Sequence, residues 1–295
     1  MKRPAIVLGL GLCLLGTAQA QGPDAEPESD AQAGLELPVK TTLSSQFRML
    51  AVVDEDPAND QLLLYGLRVR GEVFKGGTVF LGAGLRQLFV AEPQESGVDL
   101  QDTQVGFAWK TPVSFGADAK LSLTQEASVF LPTSRTSRVQ DLYLAPQVRL
   151  GFAFEPVAGL TVAGGPRFRY RFHEFAERAG RAGGMNTQLD TGLSAGIDYA
   201  ILDSKTYGRI GVGVGAGTNY VRKYDSRESY ESDASDQGVW YQQYDWEAHV
   251  GYGYSVFDLG FSVEQGGNVL RDGVVNTFFV HRDETQLAFT LSASL

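Results

Sequence analysis

The stretch at residues 160–175, LTVAGGPRFRYRFHEF, alternates arginines with aromatic residues. Successive side chains of a β-strand point to opposite faces, so this spacing predicts a two-faced strand rather than a helix. One face carries Arg167, Arg169, Arg171 and His173, and the other carries Pro166, Phe168, Tyr170 and Phe172. Whether the aromatic face meets a protein core or lipid depends on the rest of the chain.

The first twenty residues predict export from the cytoplasm. Lys2 and Arg3 precede an apolar run at residues 5–15 and the small-residue exit Ala18-Gln19-Ala20, which is the pattern of a secretory signal peptide. We expect cleavage after Ala20. The one cysteine of the sequence, Cys13, is then lost, so the mature chain has no disulfide and no thiol nucleophile.

Composition argues against nucleic acid as a partner and against membrane helices. The formal net charge is −10, and removal of Lys2 and Arg3 makes the chain more acidic, which argues against nucleic acid as a partner. After residue 20 no apolar segment approaches the length of about 20 residues that a membrane helix needs. Membrane insertion would therefore require a closed β-barrel.

The organisation predicted from composition has three parts: a signal peptide at residues 1–20, a flexible acidic periplasmic leader at 21–40 and a barrel at 41–295. The leader contains too few large apolar residues to form a core. From residue 41 the sequence alternates apolar with small or polar residues, and this period of two predicts strands. We count twelve such runs, at residues 41–53, 61–74, 78–91, 99–113, 118–131, 140–154, 160–175, 187–201, 206–221, 239–256, 258–268 and 283–295.

The connections between the runs are alternately tight and long, which a soluble sheet does not require. Aromatic residues also gather in two groups: Trp109, Phe152, Phe154, Tyr199, Tyr252 and Tyr254 toward the short turns, and Phe172, Tyr220, Trp240 and Tyr244 toward the long loops. Two such girdles are typical of a barrel in a bilayer. The predicted fold is all-β, a transmembrane antiparallel up-and-down β-barrel of about 12 strands, and a large soluble β-sandwich is the alternative.

The signal peptide, the twelve alternating runs and the last run together resemble a Gram-negative outer-membrane β-barrel protein of the small, porin-like kind. In that class the terminal strand is the recognition signal for the barrel-assembly machinery and usually ends in an aromatic residue, whereas this chain ends at Leu295. The run Val129-Phe130-Leu131-Pro132-Thr133 resembles a strand-to-loop passage of barrels thought to pass small organic compounds. The resemblance implies outer-membrane lipid and the assembly machinery as partners.

Charged residues are segregated on the predicted inner face. Arginines come from early runs and from runs six and seven, and acidic residues come from later runs. The predicted pore-lining residues are Arg68, Arg70, Arg86, Arg149, Arg167, Arg169, Arg171, His173, Asp190, Asp198, Asp245, Glu247 and His249, with Arg48 and Glu264 on the same face. Such segregation sets a field across a water-filled lumen. A row of glycines, Gly211, Gly213, Gly215 and Gly217, makes room for solute or for arginine side chains.

The sequence favours passive or gated passage of small polar or anionic solutes through an arginine-lined lumen. A non-conducting barrel that anchors a trans-envelope motility or secretion complex, with periplasmic or envelope proteins as partners, is the alternative. An outer-membrane enzyme is third, because no activated nucleophile accompanies a His–carboxylate pair and Ser194 carries no sign of activation. We therefore expect no enzyme activity and no cofactor, and ligand spacing indicates no metal site.

Overall fold

A computed structural model describes residues 41–52, 61–89, 97–115, 119–175, 185–223, 240–271, 274–275 and 285–295. The predicted signal peptide and leader lie outside these residues. The barrel strands are β1 (Thr41–Val52), β2 (Gln61–Phe74), β3 (Gly77–Phe89), β5 (Thr103–Phe115), β6 (Ala119–Leu131), β7 (Leu142–Val157), β8 (Leu160–Tyr170), β10 (Thr187–Ser204), β11 (Gly208–Lys223), β12 (Trp240–Tyr254), β13 (Phe257–Asn268) and β16 (Thr285–Ser294).

Five short elements accompany the barrel. They are β4 (Gly97–Leu100), β9 (Phe172–His173), β14 (Leu270–Arg271), β15 (Val274–Val275) and the helix α1 (Arg135–Val139). β4 pairs with β3, β9 pairs with β7, and β14 and β15 pair with each other. Among the described residues no helix is long and apolar enough to cross a membrane.

The twelve barrel strands form one closed antiparallel sheet, as the alternating runs predict. Each strand pairs with the next one along the chain, and the first strand, β1, pairs with the last, β16. This last ladder extends to the chain end, where Leu43 and Leu295 exchange two backbone hydrogen bonds of 2.9 Å. Closure removes the sheet edges that would leave backbone groups unpaired.

Large apolar side chains cover the outside of the barrel. Leu193, Ile201 and Val214 are 57%, 61% and 56% exposed, and every barrel strand contributes residues of this kind. Exposed aliphatic side chains over a whole closed sheet are costly in water and favourable in hydrocarbon. The outer surface is therefore that of a transmembrane barrel, and the soluble sandwich predicted as the alternative is wrong.

The tight connections all lie at one rim, which we call the short-turn rim, and the opposite end is the long-loop rim. The described short connections are residues 75–76, 158–159, 205–207 and 255–256, and only three residues separate the end of β5 from the start of β6. Gly76 and Gly159 adopt φ of 81° and 84° in two of them. A Cβ on Gly76 would lie 2.5 Å from the carbonyl oxygen of Lys110, so this turn requires glycine. The predicted alternation of turn lengths is confirmed.

Two predicted runs are divided in the structure. In the run 99–113 the Gln101 amide donates to the Gly84 carbonyl, while Gln104 pairs with Gly82. Three residues of this run therefore oppose two residues of β3, and the extra residue separates β4 from β5. In the run 160–175, β8 ends at Tyr170, and β9 pairs with β7 in a shifted register. Alternation persists through such bulges, so the sequence pattern does not reveal them.

We expect Val214→Arg to weaken insertion and stability by about 2–4 kcal/mol, because Val214 lies mid-strand on the lipid face. The measurement is the free energy of unfolding from lipid vesicles in urea. Tyr207→Arg, in the exposed turn of the short-turn rim, is the control and should cost about 0–1 kcal/mol. Equal costs for the two variants would contradict the placement of the lipid belt.

Candidate functional site

The positions that alternate with the exposed apolar residues form the inner face of the barrel. All the predicted lining residues lie within the described residues, on β2, β3, β7, β8, β10 and β12 or, for Arg171 and His173, at the end of β8 and in β9. Direct cross-strand partners share a face, and the pairs Arg149–Arg167 and Arg169–Asp190 place these residues together on the inner one. Most of the contacts among inner-face side chains fall into four groups.

The first group is centred on Asp190, whose side chain is 7% exposed. Oδ1 accepts from Nη2 of Arg167 at 2.8 Å, and Oδ2 accepts from Nη2 of Arg171 at 3.3 Å. Nη2 of Arg167 also donates to Oδ1 of Asn219 at 3.0 Å, and the Asn219 amide donates to Asp245 at 3.4 Å. A polar network therefore runs from β8 across β10 and β11 to β12.

The second group lies on the other side of the barrel, where Arg48 of β1 forms an ion pair with Glu264 of β13. Both side chains are largely buried, at 10% and 15% exposed. Glu264 also accepts from the Ser262 hydroxyl, and it stands directly opposite Glu247 in the β12–β13 ladder. Like charges directly opposite destabilise a sheet, so Arg48 offsets a repulsion between the two carboxylates.

The third group places two arginines on phenylalanine rings. The Arg68 guanidinium lies 4.3 Å from the centre of the Phe80 ring, and its Nη2 donates to Gln104 at 2.8 Å. The Arg169 guanidinium lies 4.1 Å from the centre of the Phe130 ring. Cation–π contacts of this kind stabilise a desolvated cation without neutralising it.

Among the described residues, the hydrogen-bond partner of Arg169 is neutral. Its Nε and Nη2 both donate to Oε1 of Gln147, at 2.9 and 2.6 Å, and Gln147 is 6% exposed. The alternation of side chains along β3 and β6 could have revealed that Phe80 and Phe130 lie on the inner face. An apolar residue at an inner position does not, however, indicate a contact with arginine. These rings are missing from the predicted set of lining residues.

The fourth group is a histidine with two carboxylates. Nε2 of His249 donates to Oδ1 of Asp198 at 2.8 Å, and its Nδ1 lies 3.9 Å from Oε1 of Glu247. Ser262 is the cross-strand partner of His249, but its hydroxyl donates to Glu264. Ser194 donates to the Gly165 carbonyl at 3.4 Å. Neither hydroxyl is directed at a histidine as a nucleophile requires.

Three of the hydrogen bonds cross an intervening strand at a glycine. Arg68 and Gln104 meet across Gly82, Arg167 and Asn219 across Gly192, and Asp198 and His249 across Gly213, and in each case the glycine is the direct partner of both residues. Alternate strands are about 10 Å apart, which two side chains can span only if the strand between them carries no side chain there. Gly213 thus leaves space for the side chains of Asp198 and His249.

His173 differs from the other lining residues, because it lies at the long-loop rim and contacts backbone. Its Nδ1 is 2.8 Å from the Gln140 carbonyl oxygen and its Nε2 is 3.2 Å from that of Thr187. Asp190, which the hairpin could have placed opposite it, is bound by Arg167 and Arg171. The ring therefore connects the β6–β7 connection to the start of β10.

The ion pairs occur where the arginine side of the barrel meets the acidic side. Asp190 bonds at the boundary between β8 and β10, and Arg48 bonds across β16 at the other boundary. Within the described part of the chain, five inner-face arginines between β2 and β8 form no ion pair with a carboxylate; they are Arg68, Arg70, Arg86, Arg149 and Arg169. Glu126 of β6 lies among them and accepts from Gln104 at 3.4 Å.

The barrel is similar to solved outer-membrane channels. An outer-membrane channel from Pseudomonas putida F1 matches with a TM-score of 0.58 at 10% identity, over 91% of this chain and 100% of that chain. The KdgM porin matches with a TM-score of 0.42 at 11% identity, over 85% of this chain and 99% of that one. The NanC porin matches with a TM-score of 0.44 at 10% identity, over 86% of this chain and 98% of that one.

No protein-family model and no curated protein matches the chain. At 10% identity the likeness to the Pseudomonas putida channel is one of fold. Together with the closed sheet and the apolar outer surface, it defines the class of fold as a twelve-stranded transmembrane β-barrel.

We expect Gly213→Ala to break the Asp198–His249 bond, since its Cβ would lie 2.4 Å from Oδ1 of Asp198 and 2.5 Å from Cε1 of His249. The loss should be about 1 kcal/mol of unfolding free energy, with a changed NMR signal of the His249 ring. Gly211→Ala is the matched control in the same row, because its Cβ would meet only the Tyr199 carbonyl oxygen at 3.5 Å. Identical behaviour of the two variants would refute the glycine-gap interpretation.

Asp190→Asn should destabilise the barrel by about 3–5 kcal/mol, because it removes the carboxylate shared by two largely buried arginines. Urea unfolding from vesicles measures the loss. Asp203→Asn, an exposed carboxylate near the short-turn rim, is the control and should change stability little. A loss no larger than that of the control would mean that the Asp190 pairs contribute little.

Proposed function

We propose that the chain forms an outer-membrane channel for the passage of small anionic solutes along the arginine side of its lumen. The observation that carries the proposal is the surplus of inner-face arginines between β2 and β8 that form no ion pair among the described residues. The similarity of fold to solved outer-membrane channels supports a channel over an enzyme. Insertion by the barrel-assembly machinery belongs to the same proposal.

The chemistry of arginine favours anions that carry carboxylate or phosphate groups. A guanidinium presents a rigid fork of donors that matches two oxygens of such a group, and it stays charged at any physiological pH. Arg149 and Arg167 are direct cross-strand partners, and Arg169 lies two residues further along β8. A solute moving along β8 would pass from one guanidinium to the next with its charge compensated throughout.

Arg169 is the centre of this path. Its charge is desolvated by the Phe130 ring and Gln147, and neither group neutralises it. A cation in such a setting gains more from an arriving anion than an exposed cation does, because the local dielectric is low. The acidic residues of β12 and β13 face this side across the barrel, and they would orient a dipolar solute.

The alternative function is a non-conducting barrel that anchors a trans-envelope complex. Burial of hydrogen-bonded inner-face residues supports it, since Ser128, Gln147 and Ser262 are 5%, 6% and 8% exposed. Side chains that fill the interior are normal in small barrels. The two functions differ in one measurable property, which is the passage of ions.

Purified protein in planar bilayers should show discrete conductance steps and a reversal potential in a KCl gradient that favours chloride. Arg169→Gln and Arg149→Gln should each lower the chloride preference several-fold, because each removes a positive charge from the lumen wall. Lys205→Gln, in the exposed β10–β11 turn, is the control and should leave the preference unchanged.

The absence of conductance steps in folded protein would favour the anchor. If conductance steps are present but the two arginine variants keep the wild-type ion preference, the protein is a channel and the proposed path along the arginines is wrong. Folding of each variant is checked by the shift in gel mobility between unboiled and boiled samples.

A further inference from the structure

The connection between β6 and β7, residues 132–141, is folded against the inside of the long-loop rim. It contains α1 and begins directly after Phe130 and Leu131 at the end of β6. Ser134 caps the helix, because its Oγ accepts from the Ser137 amide at 3.0 Å. Both serines are 7% exposed, which is unusual for a rim connection and shows that other groups cover this part of the segment.

The amino-terminal half of the segment is bound by two carboxylates. Asp102 accepts from the Ser134 amide at 3.0 Å and from the Ser137 hydroxyl, and Asp99 accepts from the Arg135 amide at 3.1 Å. Asp99 is the direct cross-strand partner of Arg86 in the β3–β4 ladder, so the two side chains share the inner face. The segment that Asp99 binds is therefore held on the lumen side of the rim.

Thr133 adds a third attachment to the same strand. Its Oγ1 accepts from the Thr103 amide at 2.8 Å and donates to the Gln101 carbonyl at 2.9 Å. The bulge between β4 and β5 and the strand residues beside it supply these partners. The inserted residue there thus has a structural use, since it turns backbone and side-chain groups toward the segment.

The carboxyl-terminal half is bound on the opposite side, to β9 and the start of β10. The Gln140 carbonyl oxygen lies 2.8 Å from Nδ1 of His173 and accepts from Nδ2 of Asn186 at 3.2 Å. The Asp141 carbonyl accepts from the Glu174 amide at 2.9 Å, and Asn186 is fully buried. The segment is therefore attached along an arc of the rim from β5 to β10.

We propose that residues 132–141 form a constriction at the mouth of the lumen, next to Phe130 and Arg169, and that Asp102 is the residue that positions it. The segment presents the exposed side chains of Arg135 and Arg138 at the mouth, so entering solutes are screened by size and charge before they meet Arg169. The inference rests on the proposed function in requiring a conducting lumen. It adds the element that limits the size of the solute.

Asp102 is the decisive attachment because it serves two buried donors at once. Without it, the Ser134 amide and the Ser137 hydroxyl lose their acceptor in a covered site, and an outward movement of the segment restores their bonds to water. The barrel ladders themselves do not involve the Asp102 side chain. Its loss should therefore widen the mouth and leave the barrel closed.

The test compares Asp102→Ala with Asp203→Ala, an exposed carboxylate near the short-turn rim that contacts no part of the segment. Single-channel conductance is measured in KCl, and the largest neutral poly(ethylene glycol) that still lowers it gives the size limit. We expect a conductance at least half as large again in Asp102→Ala and entry of larger polymers, with wild-type values in the control. Wild-type conductance and size limit in folded Asp102→Ala would overturn the proposal.

A second variant controls for misfolding. In the double variant Asp102→Cys with Ser137→Cys, a disulfide replaces the hydrogen bond. The oxidised form should conduct like the wild type, and reduction should reproduce Asp102→Ala. No difference between the two forms would also overturn the proposal.

The outcomes separate this inference from the proposed solute class. Neutral polymers report the size of the mouth whatever the ion preference. If the barrel shows no chloride preference but its size limit rises in Asp102→Ala, the result supports the constriction and refutes the anionic solute class. If the barrel is chloride-selective but the size limit of Asp102→Ala is unchanged, the result supports the anionic solute class and refutes the constriction.

Discussion

Pairing of the first strand with the last is the constraint on which the molecule depends. In hydrocarbon no water satisfies a backbone group, so a sheet is stable there only when every strand has two neighbours. The β1–β16 ladder supplies the last pair and continues to Leu295 at the chain end. Closure then divides every strand into an outer and an inner face, and each face has its own chemistry.

Side-chain hydrogen bonds that cross a strand at a glycine are the main feature of the inner face. At Gly82, Gly192 and Gly213 a strand without a side chain lets its two neighbours bond over it, so polar groups remain satisfied inside a narrow barrel. Ion pairs neutralise charge at the two boundaries between the arginine side and the acidic side. Between these boundaries five arginines form no ion pair among the described residues, and we propose that the connection held by Asp102 lies at the entrance to them.

Much of the fold could be predicted from the sequence, because alternation over twelve runs and alternating turn lengths have one simple solution in a membrane. The sequence also indicated which charged residues share a face, since parity alone decides that. It did not indicate the bulge before β5 or the break at Arg171, because the pattern continues through both. The contacts of Phe80 and Phe130 with arginine were likewise missed, because a ring at an inner position has no distinctive spacing.

The sequence by itself determined the class of fold and the polarity of the two faces, which follow from a period of two and need no knowledge of neighbours. The tertiary structure decided which partners meet. Asp190 bonds to Arg167 and Arg171 rather than to His173, and His173 bonds to the connection that Asp102 holds at its other end. Register, bulges and the positions of glycines set these distances, and they depend on strands far apart in the chain. The arginine-rich stretch at residues 160–175 therefore predicted a strand, but only closure of the barrel decided which of its charges are paired.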